Sequence, residues 1–218
     1  MGLYAKHIFP RLMDRFMRGQ EFQRLREDLL TSADGDVLEI GLGTGLNLAC
    51  YPQRVLRLRA VDPAPLLPAR VAKRSAAVSF PVEITHLSAE RLPYEDGSFD
   101  CVVSTWTLCT IPDSVQALRE VRRVLKPTGR FLFLEHGRSD DAATAAWQDR
   151  LNPIQNVLGC GCNLNRRIDQ LISKAGLHIL QLDRFVMEGV PRIGGELYRG
   201  IATPNRIGVS APPETDGR

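Results

Sequence analysis

The sequence predicts an α/β fold: a doubly wound, mostly parallel seven-stranded sheet with helices on both faces and a helical N-terminal extension. Short apolar runs alternate with helical stretches from residue 36 onward, which is typical of parallel strands joined by crossover helices. A glycine-rich turn follows the first of these runs. The chain has 218 residues, 44% of them hydrophobic and 24% charged, so one domain can bury a core without disulfide or metal support.

The first 30 residues predict an amphipathic helical extension. Apolar side chains recur at steps of three and four residues, with a break near residues 18–20. Such helices cover a core, form a lid over a substrate site or lie on a membrane surface, and these alternatives stay open here. The predicted boundaries are 1–30 for this extension or lid, 31–203 for the main domain, and 204–218 for a tail that we expect to be disordered.

Seven apolar runs predict the strands of the sheet. Five of them, at 37–40, 58–61, 82–87, 99–104 and 130–135, predict the parallel strands, and two more, at 177–186 and 196–203, predict a closing pair. Helices are predicted over 46–50, 65–77, 114–125, 142–158 and 166–174, the last ended by Gly176. Right-handed crossovers place the carboxyl ends of the parallel strands on one edge, where ligands bind.

Charge and hydropathy exclude several classes of protein. The longest apolar runs are far shorter than the ~20 residues that span a bilayer, so no integral membrane insertion is predicted. No basic segment followed by an apolar one opens the chain, so we expect a cytoplasmic protein. The net charge of +3 comes from scattered arginines, which predicts a solvated surface and no nucleic-acid partner.

The cysteine and histidine pattern predicts no metal site. Five cysteines are an odd number, and Cys160-Gly-Cys162 lacks both the two-residue spacer and the second pair of zinc and redox motifs. The four histidines lie far apart in the sequence. We therefore expect five free thiols, with Cys160 and Cys162 shaping a turn.

The turn after the first run, Glu39-Ile-Gly-Leu-Gly-Thr-Gly-Leu-Asn47, predicts a ligand site on bare backbone. A dinucleotide fingerprint would need glycine where this chain has Leu46, and a P-loop would need lysine after its last glycine. Glu39 would repel a pyrophosphate, whereas it suits an amino group or a sulfonium. Asp62 ends the second run, where an acidic side chain meets ribose hydroxyls in nucleoside-binding folds. Together these features point to S-adenosylmethionine.

Five motifs in this order resemble those of the class I S-adenosylmethionine-dependent methyltransferases. They are Glu39-Ile-Gly-Leu-Gly-Thr-Gly45, Ala60-Val-Asp-Pro63, Ala89-Glu-Arg-Leu-Pro93, Asp96-Gly-Ser-Phe-Asp100 and Leu125-Lys-Pro-Thr-Gly129. The resemblance covers residues 36–136 and implies a Rossmann-like sheet with S-adenosyl-L-methionine as the cofactor.

The resemblance also implies which residues bind the cofactor. The methionine moiety lies among Glu39, Gly41, Gly43 and Asn47, the ribose beside Asp62 and Pro63, and the adenine beside Ser88, Ala89 and Glu90. Thr44, Gly45 and Thr105 are also expected to bind the cofactor. Two positions depart from the family pattern. Ser88 stands where many members carry Asp, and Thr128 replaces the usual second glycine before the fifth strand.

A narrower resemblance links the chain to the methyltransferase-like subgroup with a type 11 methyltransferase domain. The matching segments are Tyr51-Pro52, Thr107-Leu-Cys109, 119–125, Glu135-His136, Trp147-Gln148 and 162–166. Mammalian members of this subgroup are alkyl thiol methyltransferases with a membrane-associating N-terminal segment, whereas residues 3–30 of this chain are amphipathic. The resemblance implies methyl transfer by in-line displacement to a small lipophilic or thiol acceptor. The alternatives are a quinone precursor, a phospholipid head group, or a silent cofactor-binding protein.

Candidate acceptor-site residues follow the fourth and fifth strands. Trp106, Thr107 and Cys109 are expected to face the reactive methyl group. His136 comes directly after the fifth strand and is the candidate catalytic residue, either as a base or by orienting the substrate; the alternative is a loop cap. In-line displacement requires alignment and exclusion of water, and no metal. The expected partner is a small-molecule acceptor; peripheral membrane contact and the oligomeric state stay open.

Overall fold

A computed structural model describes residues 3–64 and 66–205 and confirms the predicted sheet of seven strands. The strands are β1 (Gly35–Ile40), β2 (Val55–Val61), β3 (Val82–Thr85), β4 (Phe99–Thr105), β5 (Leu125–His136), β6 (His178–Val186) and β7 (Glu196–Thr203). The helices are α1 (Phe9–Phe16), α2 (Gln20–Leu30), α3 (Pro68–Ser75), α4 (Ser114–Val124), α5 (Ala142–Leu158), α6 (Ile168–Lys174) and α7 (Arg192–Gly195), and a π-helical turn, Tyr4–Ile8, precedes α1.

The strand order is β3-β2-β1-β4-β5-β7-β6. Strands β1 to β5 pair in parallel, whereas β7 pairs antiparallel with both β5 and β6. Because β2 and β4 lie on opposite sides of β1, the winding of the chain reverses there. A crevice opens beyond the carboxyl ends of the strands at such a reversal, and it is the usual ligand site of a doubly wound sheet.

Helices cover both faces of the sheet, which explains why its central strands are apolar without alternation. Phe131 and Phe133 of β5 belong to a buried cluster with residues of α4 and α6. Leu132 and Leu134 belong to a second cluster on the opposite face, which includes residues of α2. The core therefore lies in two layers, and the crevice is at one edge of both.

The two N-terminal helices have different surroundings. Helix α2 buries Phe22, Leu25, Leu29 and Leu30. Helix α1 buries the carboxylate of Asp14, which forms ion pairs with Arg70 and Arg74 of α3. Burial acts to raise the pKa of Asp14, but hydrogen bonds from Arg74 and Thr44 and the charges of the two arginines lower it. Arg74 Nη1 also donates to the Thr44 carbonyl at 2.5 Å, so α1 is tied to the glycine turn through α3.

The helix predicted over residues 46–50 is wrong, because the structure has only a 3₁₀ turn at Leu48–Cys50. Pro52 explains the difference. It has no N–H to continue a helix, and it restricts the preceding Tyr51 to extended backbone, with ψ of 133°. The four-residue helix α7 has no counterpart in the sequence prediction.

The predicted tail, 204–218, lies almost wholly outside the described residues. Of this segment the structure describes Pro204 and Asn205, and Asn205 Nδ2 donates to the Pro127 carbonyl at 3.2 Å. No helix within residues 3–64 and 66–205 combines the length and the apolar character needed to cross a membrane.

Candidate active site

The glycine turn after β1 presents bare backbone at the crevice between β1 and β4. Gly41, Gly43 and Gly45 have φ values of 76°, 57° and 77°. A Cβ atom on Gly41 would lie 2.2 Å from Thr107 Oγ1, so the absence of a side chain lets the loop after β4 approach. A Cβ atom on Gly43 would meet nothing within 4 Å. The missing side chain at Gly41 therefore makes room for the loop after β4, whereas a side chain at Gly43 would extend into the open cavity.

Asp62 follows β2 and is fixed against the glycine turn. Its Oδ2 accepts from the Gly43 backbone N–H at 2.8 Å, and its Oδ1 accepts from the Ala64 N–H at 3.0 Å. Burial raises the pKa of Asp62, and the two backbone donors partly oppose that shift. Each carboxylate oxygen keeps a second lone pair, so the group can still accept from ligand hydroxyls.

Glu39 of β1 is a buried carboxyl group within the same crevice. Its Oε1 accepts from Asn47 Nδ2 and its Oε2 from the Tyr51 hydroxyl, both at 2.9 Å. Asn47 Nδ2 also donates to Thr105 Oγ1 at 3.0 Å, which joins the glycine turn to the end of β4. Burial raises the pKa of Glu39 to about 7, against the effect of its two hydrogen bonds. A cationic ligand would favour the charged form.

Most of the predicted cofactor residues line one cavity with a volume of about 940 Å³. They are Glu39, Gly41, Gly43, Thr44, Asn47, Asp62, Pro63, Ser88, Ala89 and Thr105. Gly45 lies instead against Leu48. Glu90 is not among the lining residues, and its carboxylate accepts from the Ser88 hydroxyl at 2.8 Å and from the Asp113 N–H at 2.7 Å. Its contact with a ligand stays a prediction.

The loop after β4 is anchored by Glu135, near the end of β5. The fully buried carboxylate accepts from Ser104 Oγ at 2.6 Å, from the Thr107 N–H at 3.2 Å and from the Leu108 N–H at 3.1 Å. Burial raises the pKa of Glu135 to about 7, and the three donors oppose that shift. This carboxyl group therefore holds residues 105–109, which include all the predicted acceptor residues, against the end of β5.

Trp106 of this loop packs against α2. Its ring centroid lies 5.4 Å from that of Phe22, and the Arg26 guanidinium lies 4.9 Å from the Trp106 ring centroid. Arg26 is buried and donates to the Met17 carbonyl at 2.8 Å, and burial lowers the pKa of Arg26 to about 10. The contact of Arg26 was not predictable from the sequence, because nothing local distinguishes Arg26 from the exposed Arg24 of the same helix.

Cys109, His136 and Cys162 form a compact group, which we call the thiol–imidazole cluster. His136 Nε2 lies 3.0 Å from Cys162 Sγ, and one possible ligand atom from each of the three residues lies within 4.8 Å of the others. A hydrogen bond with Cys109 lowers the pKa of Cys162 to about 4 despite burial, and His136 adds to that shift. Burial acts to lower the pKa of His136, but Cys162 raises it. The contacts of Cys162 with His136 and Cys109 were not predictable from the sequence, because these partners lie in distant segments.

The cavity has a polar half and an apolar half. The polar half, beyond β1 to β3, contains the glycine turn, Glu39 and Asp62. The other, which we call the acceptor half, lies beyond β4, β5 and β7 and contains Trp106, Thr107 and the thiol–imidazole cluster. The apolar wall of the cavity includes Phe9, Met13, Phe16, Met17, Val157, Leu164, Met187, Val190 and Leu197, the last of which pairs with His136 between β5 and β7. A charged cofactor and a lipophilic acceptor can therefore occupy adjoining parts of one cavity.

Comparison with known proteins identifies the family. Residues 38–133 match the model of the methyltransferase domain. The thiol S-methyltransferase TMT1A of Homo sapiens is 34% identical over 205 residues, which are 84% of this chain and 81% of that protein. The chain belongs to the class I S-adenosylmethionine-dependent methyltransferases. This methyltransferase is also 31% identical to the phosphatidylethanolamine N-methyltransferase of Cereibacter sphaeroides, over 57% of this chain and 62% of that protein.

Solved structures show the same fold at lower sequence identity. Geranyl diphosphate methyltransferase in complex with S-adenosylmethionine superposes with a TM-score of 0.65 at 13% identity, over 90% of each chain. The cofactor of this methyltransferase is S-adenosylmethionine, and the polar half of the cavity fits it. Open space at Gly43 leaves room for the ligand, Asp62 can accept from hydroxyls, and Glu39 suits a positive charge.

Proposed function

We propose that this methyltransferase acts on a small lipophilic thiol. The observation that carries the proposal is the acceptor half of the cavity, where an apolar wall surrounds two thiols and an imidazole. An apolar wall favours an alkyl group. A thiol, with a pKa near 8.5, loses its proton far more readily than an alcohol, so it needs no strong base. Thiol S-methylation, the activity for which the human relative is named, supports the same acceptor class.

The residues of the polar half hold the cofactor in this proposal. Asp62 accepts from the ribose hydroxyls, Ser88 and Ala89 lie beside the adenine, and Glu39 faces the positively charged methionine moiety. When bound, S-adenosylmethionine supplies an electrophilic methyl group. The loop after β4 and the N-terminal helices orient the acceptor and keep water out of the acceptor half. His136 contacts the acceptor and is the proposed catalytic residue.

The test is formation of S-adenosylhomocysteine with a panel of acceptors. We expect turnover with alkyl thiols that improves with chain length, and none with the matched alcohols. His136→Ala should lower turnover while the affinity for S-adenosylhomocysteine stays nearly unchanged, because His136 lies in the acceptor half. Turnover with a quinone precursor or a phospholipid but with no thiol would overturn the proposed acceptor, and no turnover with any acceptor would favour a silent binding protein.

A second candidate acceptor is a phospholipid head group or a lipophilic quinone precursor. The similarity to phosphatidylethanolamine N-methyltransferase favours it. So does the large exposed apolar surface at the N-terminus, where Leu3, Ile8, Leu12 and Phe16 are each more than half exposed. Incubation with a lipid extract and identification of the methylated product distinguish this candidate from the thiol.

Glu39 gives a pH dependence to cofactor binding. Because its pKa is about 7 in the free protein, it is largely neutral below that pH and charged above it. A cationic ligand binds the charged form better, so we expect S-adenosylmethionine affinity to rise as the pH increases through about 7. Below this pH, binding should release a proton from Glu39. Glu39→Gln should bind more weakly and without this rise.

Calorimetric titration of both proteins at several pH values measures the effect. The amino group of the ligand titrates equally in the titrations of the wild type and of Glu39→Gln. The difference between their two pH profiles therefore isolates the effect of Glu39. An identical pH profile in the wild type and in Glu39→Gln would exclude a role for this carboxyl group.

We also propose that residues 3–16 act as a lid. Phe9, Met13 and Phe16 line the acceptor half, and the Tyr4 hydroxyl donates to the Leu158 carbonyl at 2.9 Å, so this segment reaches across to α5. The exposed apolar side chains of the lid support peripheral contact with a membrane surface.

A cytoplasmic location fits the five free cysteines. The partner remains a small molecule, with no nucleic acid.

A further inference from the structure

We infer that Cys109, His136 and Cys162 form a binding site for a thiophilic divalent cation of the Zn²⁺ type, with one coordination position open to the acceptor half of the cavity. Sequence spacing predicts no such site, because the three residues lie in the loop after β4, at the end of β5 and in the loop after α5. The fold alone brings them within 4.8 Å of one another.

The distances suit a tetrahedral ion after a small adjustment. Zinc bonds of about 2.3 Å to sulfur and about 2.0 Å to nitrogen place two sulfurs about 3.8 Å apart and a sulfur and a nitrogen about 3.5 Å apart. His136 Nε2 and Cys162 Sγ are 3.0 Å apart, so an ion between them requires these atoms to separate by roughly half an ångström. Two cysteines and one histidine are a known ligand set of catalytic zinc sites, which keep a fourth position free.

The segments that carry the three ligands are tied together by hydrogen bonds. Asn163, next to Cys162, donates to the Cys109 carbonyl twice, from its backbone N–H at 3.0 Å and from its Nδ2 at 2.9 Å. Arg166 of the same loop donates to the Ile111 carbonyl at 2.7 Å and to the Leu108 carbonyl. These bonds hold the two cysteines in register without involving their sulfur atoms. The donor set is therefore pre-organised, which lowers the cost of ordering it around an ion.

His136 has unused coordination capacity. Its side chain is buried, and its Nδ1 has no hydrogen-bond partner among the described residues. Nε2 has only the Cys162 sulfur as a partner. All three ligand residues line the cavity, so an ion bound here would be reached from the acceptor half.

The role of the ion follows from its open position, and this part of the inference rests on the proposed thiol acceptor. An acceptor thiol would enter the fourth position and lose its proton to solvent, because a coordinating thiol is deprotonated. Its sulfur would then form the new bond to the methyl carbon as the bond from that carbon to the sulfonium breaks. The products are the thioether, S-adenosylhomocysteine and the released proton. The ion would thereby select sulfur over oxygen acceptors.

Metal binding is tested first, without turnover. The reduced full chain, freed of metal by a chelator, is titrated with Zn²⁺ in competition with a chromophoric chelator, and separately with Co²⁺. We expect a single tight site with tetrahedral Co²⁺ absorption and a thiolate charge-transfer band. Cys109→Ser and Cys162→Ser should each lower Zn²⁺ affinity by at least about 100-fold, a loss as large as the greatest seen when a hydrogen-bond partner of a metal ligand is changed. The matched control Cys160→Ser changes an exposed neighbour and should bind Zn²⁺ as the wild type does.

Weak Zn²⁺ binding of the same affinity in the wild type and the three variants would overturn the inference. It would also be overturned if Cys109 and Cys162 only formed a disulfide on oxidation. Thermal unfolding and S-adenosylhomocysteine binding verify that each variant is folded.

In a second measurement, an alkyl thiol is added to the Co²⁺-loaded protein without cofactor. A shift of the Co²⁺ bands with the thiol, but not with the matched alcohol, supports the open position. Co²⁺ bands that do not change when thiols are added would overturn the role given to the open position, whereas the thiol acceptor itself is tested separately by turnover.

Discussion

Gly43→Ala is expected to lower the affinity for S-adenosylhomocysteine by on the order of 100-fold, or about 2.7 kcal/mol. A Cβ atom at this position would touch no protein atom within 4 Å, so the methyl group would occupy ligand space and not protein space. The positive φ of 57° adds roughly 1–2 kcal/mol of backbone strain. The variant should therefore fold with slightly reduced stability and bind the cofactor much more weakly.

Gly97→Ala is the matched control for this prediction. Gly97 has a φ of 65°, and its nearest neighbour would lie 4.0 Å from an added Cβ atom, but it is not part of the cavity wall. Both variants should lose similar stability in thermal unfolding, and Gly97→Ala should retain wild-type affinity in calorimetry. Wild-type affinity in Gly43→Ala would place the cofactor elsewhere in the protein.

Glu135→Leu is expected to reduce the free energy of unfolding by roughly 3–5 kcal/mol. The substitution leaves the backbone N–H groups of Thr107 and Leu108 and the Ser104 hydroxyl without their acceptor in a buried position. Each unpaired group costs roughly 1–3 kcal/mol. Because these donors hold the loop after β4, turnover should fall even in the fraction that folds.

Two further variants separate the causes of this loss. Glu135→Gln keeps one acceptor oxygen and should lose less stability than Glu135→Leu. Ser104→Ala removes one donor but leaves the carboxylate with its two backbone partners, so it should lose only about 1 kcal/mol. Equilibrium urea denaturation measures all three. If the free energy of unfolding of Glu135→Leu lies within about 1 kcal/mol of the wild-type value, water replaces the lost acceptor and the loop does not depend on Glu135.

The sequence was sufficient to predict the sheet, because the buried strands of a doubly wound fold are continuous apolar runs. The glycine turn, Glu39 and Asp62 were predictable for the same local reason, since each directly follows or ends a strand. The prediction failed over residues 46–50, where the effect of Pro52 on the preceding residue outweighs helical periodicity. The hydrogen bond between Glu90 and the Asp113 N–H was not predictable either, because it joins two segments that meet only in the folded chain.

The amino-acid sequence by itself determined the α/β class, the seven strands and the glycine turn after β1, since these depend on local periodicity and on residues that are close in the chain. Only the tertiary structure decided the acceptor half. It buried Arg26 against Trp106, made Glu135 the anchor of the loop after β4, and placed Cys162 beside His136 and Cys109. The physical reason is that each of these contacts joins segments far apart in sequence, and their geometry depends on how the helices pack on the sheet.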